Sequence, residues 1–151
     1  MERIVVVGGG YAGFTVAREL EKDLRRELRR GEVELVLVDP RPYMTYQPFL
    51  PEVVAGSVEA RHAAVSHRRH LRRTRLVDGT VTRIDHADRA IVVQPRSGPA
   101  YRLPYGTVVV TAGGVRRGVP VPGVAGHAIG RRGVAEGGGG RRARWAAPEA
   151  R

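Results

Sequence analysis

The apolar positions of this chain change period twice within the first forty residues. Glu2 to Val7 is a short, β-branched run ended by glycine, the pattern of a buried strand. From about Ala12 to Arg30 the period lengthens. Ala17, Leu20, Leu24 and Leu28 fall three or four apart and form one apolar stripe. Glu19, Glu21, Lys22, Asp23, Arg25, Arg26 and Glu27 lie between them as a solvated face. Gly31 then supplies a helix stop. Val33, Leu35, Val36, Leu37 and Val38 form a second strand, closed by Asp39-Pro40. Strand, glycine turn, helix, strand is a βαβ unit, which crosses over right-handed and builds a parallel sheet.

Further along, Val81–Asp85 and Ala90–Gln94 read as two short strands around the turn-like His86-Ala87-Asp88-Arg89. Tyr101–Leu103 reads as a third. Thr107–Thr111 is a continuous buried strand ended by Ala-Gly-Gly. After Gly130 the text RRGVAEGGGGRRARWAAPEAR keeps neither a helical nor a strand period. Its Gly/Arg/Ala bias marks low complexity and predicts disorder. The expected organisation is one α/β domain over 1–130 and a tail over 131–151.

The turn between first strand and helix is Gly8-Gly9-Gly10-Tyr11-Ala12-Gly13, a G-x-G-x-x-G. In a dinucleotide-binding reading each motif glycine has a task. Gly8 allows the tight exit from the strand. Gly10 lets a pyrophosphate approach the backbone where a Cβ would collide. Gly13 lets the helix sit close on the sheet. The phosphates would rest on N–H groups at the helix N-terminus, the positive end of its dipole. Asp39 would accept a hydrogen bond from a ribose hydroxyl, which disfavours a 2′-phosphate there but does not separate FAD from NAD. A plain structural turn is the alternative. The flanking strands, the amphipathic helix and the closing acid favour the dinucleotide.

Composition narrows this further. The chain has 151 residues, enough to bury a core, and no cysteine, which excludes disulfides, thiolate catalysis and Cys-based metal or redox chemistry. The formal net charge of +11 is uneven. Residues 1–60 hold more acids than bases, whereas 61–75 hold six arginines and no acid. That cluster is an electrostatic footprint for phosphates, but it lacks the aromatic residues on which bases stack, so nucleic acid is not the expected partner. His62, His67 and His70 are spaced five and three apart with no carboxylate nearby. They read as exposed histidines, and no metal site is expected. No apolar run is long enough to span a bilayer.

The order of segments resembles a known family. Asp39-Pro40-Arg41-Pro42-Tyr43-Met44-Thr45-Tyr46-Gln47-Pro48-Phe49-Leu50-Pro51 is similar to the loop after the second strand in type II NADH dehydrogenases. These are flavoproteins of the pyridine nucleotide–disulfide oxidoreductase superfamily. Gly79–Asp85 and Ala90–Val93 resemble their β-meander. Leu103-Pro104-Tyr105-Gly106 through Gly114 resembles the following strand and glycine turn, and Val119–Val124 the linker into the NADH domain. The resemblance covers roughly residues 3–130. It implies a Rossmann-like FAD-binding domain: a parallel sheet with an inserted antiparallel meander, incomplete relative to the family. It implies FAD rather than NAD at the turn, held by Gly8, Gly10, Tyr11, Ala12 and Gly13. It places Asp39 at the adenosine ribose, with Pro40 and Arg41 beside it, and the Val81 backbone at the adenine edge. Thr111, Ala112 and Gly113 match the turn that approaches the flavin nucleotide, and the loop from Pro42 to Gln47 would lie toward the isoalloxazine ring.

The family's chemistry is hydride transfer from NADH to flavin and onward to a quinone. A complete enzyme needs a second glycine fingerprint for NADH and a late Gly-Asp segment that closes on FAD. Neither occurs in the sequence, and Gly137–Gly140 has no strand before it. The expectation is therefore a truncated or frameshifted product, with little or no NADH oxidation alone and no catalytic acid, base or nucleophile. The expected setting is cytoplasmic, or peripheral at the inner face of the cell membrane. The alternatives are a non-catalytic module binding FAD, NAD or ADP, and a basic nucleic-acid-associated protein.

Overall fold

The computed structural model describes residues 1–114, and these divide into two compact units, 1–44 with 66–113 and 45–65 with 114. The proposed linker Val119–Val124 and the 131–151 tail lie outside the described residues.

In the first unit, strand β1 (Glu2–Val7) runs into the glycine turn and helix α1 (Tyr11–Asp23). The single long helix expected from the stripe is two helices. The backbone breaks at Leu24 (φ −98°, ψ 26°), and α2 (Arg25–Arg30) follows. The stripe survives the break because Ala17 is buried and Leu20, Leu24 and Leu28 are partly buried. Gly31, at φ 70°, ends α2 in the left-handed conformation that glycine adopts without a Cβ penalty. Strand β2 (Val33–Asp39) then pairs parallel with β1, Val5 opposite Val36 and Val7 opposite Val38.

The chain leaves this unit through β3 (Tyr43–Thr45) and returns through β4 (Ala64–Ser66), which pair as a two-stranded ribbon. Between them lies the second unit. It holds a 3-10 turn (Gln47–Phe49) and helix α3 (Leu50–Ala55), ended by Gly56 at φ 89°. Its small core is Leu50, Val53 and Ala63, with Val58 and Ala60 packed against it. The arginine cluster is not one continuous helix. It runs through a 3-10 turn (Ala60–Ala63), β4 and the four-residue helix α4 (His67–His70).

Strand β5 (Arg75–Asp85) has eleven residues, more than twice the expected Val81–Asp85. Its first part pairs parallel with β2, ending with Asp78 opposite Asp39. Its second part turns away and pairs antiparallel with β6 (Ala90–Pro95), which pairs with β7 (Tyr101–Pro104). A register shift between Val81 and Arg83 marks where the strand bends. Strand β8 (Thr107–Val110) returns parallel to β1 on its other side, giving the order β7-β6-β5-β2-β1-β8.

This is an α/β fold: a central parallel sheet with an antiparallel meander. Strand alternation sorts the core. Val5, Val7, Val36 and Val38 join Ile91, Val93, Leu103 and Tyr105 in one cluster. Val6, Leu35 and Leu37, one residue out of step, are buried on the opposite face.

Candidate functional site

The C-terminal ends of β1, β2 and β8 lie along one edge of the parallel sheet, with Asp78, where β5 stops pairing with β2, beside them. After β1 the chain goes first to β2 on one side and only later to β8 on the other. The crevice beyond β1 and β8 is thus a topological switch point, where open α/β sheets take ligands. The sequence-predicted residues converge on this edge: the glycine turn after β1, Asp39 at the end of β2, and Thr111, Ala112 and Gly113 after β8. Val81 stands three residues past Asp78, beyond the point where β5 leaves β2.

The glycines of the turn differ in what requires them. Gly8 sits at φ 97°, and a Cβ there would lie 2.5 Å from the Thr111 carbonyl oxygen. A Cβ on Gly13 would lie 1.8 Å from the Gly8 oxygen. Both glycines are demanded by the chain's own packing. Gly10 is not. Its φ of −72° suits any residue, and a Cβ there would meet nothing within 4 Å. Nothing in the described structure needs glycine at this position. It is also the residue that opens α1, and the first bond within the helix runs from Phe14 N–H to Gly10 oxygen. The N–H groups of Ala12 and Gly13 precede that bond and carry the positive end of the helix dipole. Tyr11 and Ala12 are exposed beside them.

Gly9, which the motif leaves unspecified, is the best-held residue of the turn. Its N–H donates to Asp39 Oδ2 at 2.7 Å. Its carbonyl accepts a hydrogen bond from His67 Nε2 at 2.8 Å. A carbonyl cannot donate, so Nε2 carries the proton. His67 is 2% exposed and its ring stacks on Phe14, with centroids 5.9 Å apart. This overturns the expectation that the three histidines are exposed: His62 and His70 are, but His67 is buried. The cause is local. A Cβ on Gly9 would lie 2.4 Å from His67 Cε1, so the ring occupies the space that the glycine leaves. The peptide after Gly9 is trans and planar. Drawing its C=O onto His67 therefore points the Gly10 N–H the opposite way.

Asp39 is 9% exposed. Its Oδ1 accepts the Arg41 N–H at 2.7 Å, and Arg41 Nε stands 4.0 Å away. An ionised carboxylate has about four acceptor positions, so capacity remains beyond these main-chain bonds. Pro40 and Arg41 are exposed, and the Pro40 carbonyl accepts from Arg96. Thr111 faces inward. Its hydroxyl lies 2.9 Å from both the Val7 and Gly8 oxygens, and its N–H donates to Val7 oxygen at 2.8 Å. Ala112 and Gly113 are exposed, with Gly113 at φ 66°. The Val81 side chain packs on the core cluster. The Pro42–Gln47 loop passes through β3 into the 3-10 turn.

Sequence reasoning missed His67. One signal was present: the motif asks nothing of its second position, so a third consecutive glycine there implies a close neighbour. Among the described residues no group of His, Asp and Glu side chains is placed to hold a metal ion, and no helix is long and apolar enough to cross a membrane.

Comparison with known proteins agrees with this geometry. Residues 2–143 match the family described as pyridine nucleotide-disulphide oxidoreductase. The type II NADH:quinone oxidoreductase Ndh of Mycobacterium tuberculosis is 31% identical over 114 residues, covering 74% of this chain and 23% of that protein. The NADH dehydrogenase-like protein YutJ of Bacillus subtilis is 29% identical over 101 residues, 67% of this chain and 27% of that protein. Among solved structures, NDH2 of Plasmodium falciparum superposes with a TM-score of 0.80 at 19% identity, covering 99% of this chain and 31% of that one. The chain thus spans about a quarter of the length of these curated relatives. It belongs to the pyridine nucleotide-disulphide oxidoreductase family and is similar within it to the type II NADH:quinone oxidoreductases.

Proposed function

We propose that the first unit is the FAD-binding portion of an NAD(P)H:acceptor oxidoreductase, with a quinone as the acceptor, and that this chain alone has little or no NADH turnover. The observation that carries the reading is Gly10. It is a glycine that packing among the described residues does not need, at the mouth of a helix whose opening N–H groups suit a pyrophosphate. A side chain there would stand where the diphosphate approaches. Asp39 would hold the adenosine ribose with its remaining lone pairs. Gly8, Tyr11, Ala12 and Gly13 would form the diphosphate cradle. Pro40, Arg41, Val81, Ala112 and Gly113 would border the nucleotide, and Thr111 would keep the cradle closed. FAD, when bound, supplies the hydride-accepting centre; the protein's part is binding and orientation. The names of the relatives support NADH and quinone as co-substrates. The one glycine fingerprint, Gly8 to Gly13, is assigned to FAD within a domain over 1–130.

The test is to purify the full chain and titrate FAD and ADP, following flavin fluorescence and heat. Gly10→Val is expected to melt within a few degrees of the parent, because the site is open and its φ ordinary. Its FAD affinity is expected to fall about 100-fold or more, the scale of losing a bound diphosphate's several charge-assisted hydrogen bonds. Equal binding by Gly10→Val would overturn the assignment. NADH oxidation by the isolated chain at an enzyme-like rate would overturn the view that turnover requires more protein.

A further inference from the structure

Apart from His67, the arginine-rich stretch makes no contact with the glycine turn, and the placement of its arginines points to a second ligand. Arg68, Arg69, Leu71, Arg72, Thr74 and Leu76 line a cavity of about 660 Å³. Leu71 is 3% exposed and Thr74 7% exposed, so the floor is packed protein. Arg68, Arg69 and Arg72 are exposed, and none makes an ion pair with a carboxylate among the described residues. Other arginines of the same stretch do: Arg61 pairs with Glu59, and Arg75 with Glu34.

One acid does stand beside the cavity, and it is turned to the main chain. Glu21 Oε1 accepts the N–H groups of Arg73 and Thr74 at 2.7 Å and the Thr74 hydroxyl at 2.8 Å. Its Oε2 accepts the Arg72 N–H at 3.2 Å. These four bonds fix the loop that carries Arg72 while leaving its guanidinium unanswered. Three like charges then lie together around one open depression, which raises the local concentration of anions. An anion with several oxygens relieves that repulsion, and the planar guanidinium fork matches phosphate. The volume falls in the range of small-molecule sites, about 300–1,000 Å³. Residues 61–75 contain no Phe, Tyr or Trp on which a nucleic-acid base could stack.

We propose that this cavity is an anion site for a phosphate-bearing ligand, either a free phosphate compound or the headgroup of an anionic lipid, independent of the glycine turn. The test uses the full chain in the Gly10→Val background, so that the turn does not compete. Inorganic pyrophosphate is titrated by calorimetry. Sedimentation is measured with phosphatidylcholine vesicles, with and without phosphatidylglycerol, at about 0.15 M salt. The double variant Arg68→Gln/Arg72→Gln is expected to lose affinity about 10-fold or more, the scale of two charge-assisted contacts. The charge-matched double variant Arg83→Gln/Arg102→Gln, on the meander, is expected to stay within about 2-fold if specific contacts rather than net charge decide binding. Retention of pyrophosphate alone identifies a free ligand, and retention on phosphatidylglycerol vesicles identifies a lipid headgroup; either supports the site. Equal loss in both double variants, or no binding to either probe by the Gly10→Val chain, overturns it. FAD affinity of Arg68→Gln/Arg72→Gln in the otherwise parental chain is expected to be unchanged, which separates this outcome from the fate of the flavin site.

Discussion

Replacing Gly9 by alanine tests the coupling between the glycine turn and His67. The added Cβ would lie 2.4 Å from His67 Cε1, 2.8 Å from Nε2 and 3.3 Å from Asp39 Cβ. The first two contacts are far inside van der Waals range, and the ring has nowhere to swing. It is buried, stacked on Phe14 and hydrogen-bonded to the Gly9 carbonyl. Relief requires giving up that bond, which leaves a buried acceptor unpaired at about 1–3 kcal/mol. Overpacking at a buried site is of the same size, about 1–3 kcal/mol. Against a total stability of roughly 5–15 kcal/mol either is a large fraction. Gly9→Ala is therefore expected to lose about 2 kcal/mol, a fall of several degrees in melting temperature. The assay is urea unfolding followed by circular dichroism, arranged as a cycle with His67→Ala. The single His67→Ala change vacates the space that the new methyl needs. The double variant should then be more stable than the sum of the single losses predicts, by at least about 1 kcal/mol. Gly10→Ala serves as the control and should change stability little, since its Cβ meets nothing within 4 Å. Additive losses in the cycle, or a Gly9→Ala protein as stable as the parent, would refute the claim that ring and glycine occupy one shared space.

Two further outcomes are expected. Thr111→Val removes the hydroxyl that closes on Val7 and Gly8 and should destabilise by about 1 kcal/mol, while Thr111→Ser should retain most of it; identical urea midpoints for the two would contradict this. At Glu34, burial acts to raise the pKa, but hydrogen bonds from Arg3 and Arg75 outweigh it and hold the folded carboxyl below its ordinary 4.5. A depressed folded value means that the stabilisation is complete above about pH 4.5 and is lost as pH falls through the folded value. Glu34→Gln should therefore be about 0.5–1 kcal/mol less stable at neutral pH, and the difference should shrink as pH falls below about 4.5. A difference that stays constant across that range would remove the electrostatic explanation.

Strong local period made much of the fold legible. The β-branched run before Gly8, the stripe from Ala17 and the valines of β2 each carry their element without help from distant residues. The break at Leu24 was hidden because the stripe passes through it unchanged: Leu24 and Leu28 still face inward after the helix restarts. The first half of β5 was hidden for the opposite reason. Its residues, opening with Arg75, show little apolar alternation, and it is the ladder with Val36–Asp39 that makes them a strand. In the site, Gly8, Gly13 and Asp39 could be picked from spacing, since all three lie within one βαβ unit. His67 could not. Its burial depends on a missing side chain fifty-eight residues earlier, and its arginine neighbours give the local sequence the look of an exposed surface.

The Thr111 clasp bears on biosynthesis. It ties the end of β8 to a turn made 104 residues earlier, at Val7. During synthesis at about 5–20 residues per second, the first βαβ unit leaves the ribosome many seconds before its clasp exists. Over that interval the glycine turn lacks its far wall, and β1 has an open edge available to another nascent chain. On the proposed reading of this turn as a flavin-nucleotide site, supplying the nucleotide early would not be expected to help, because Thr111 arrives late.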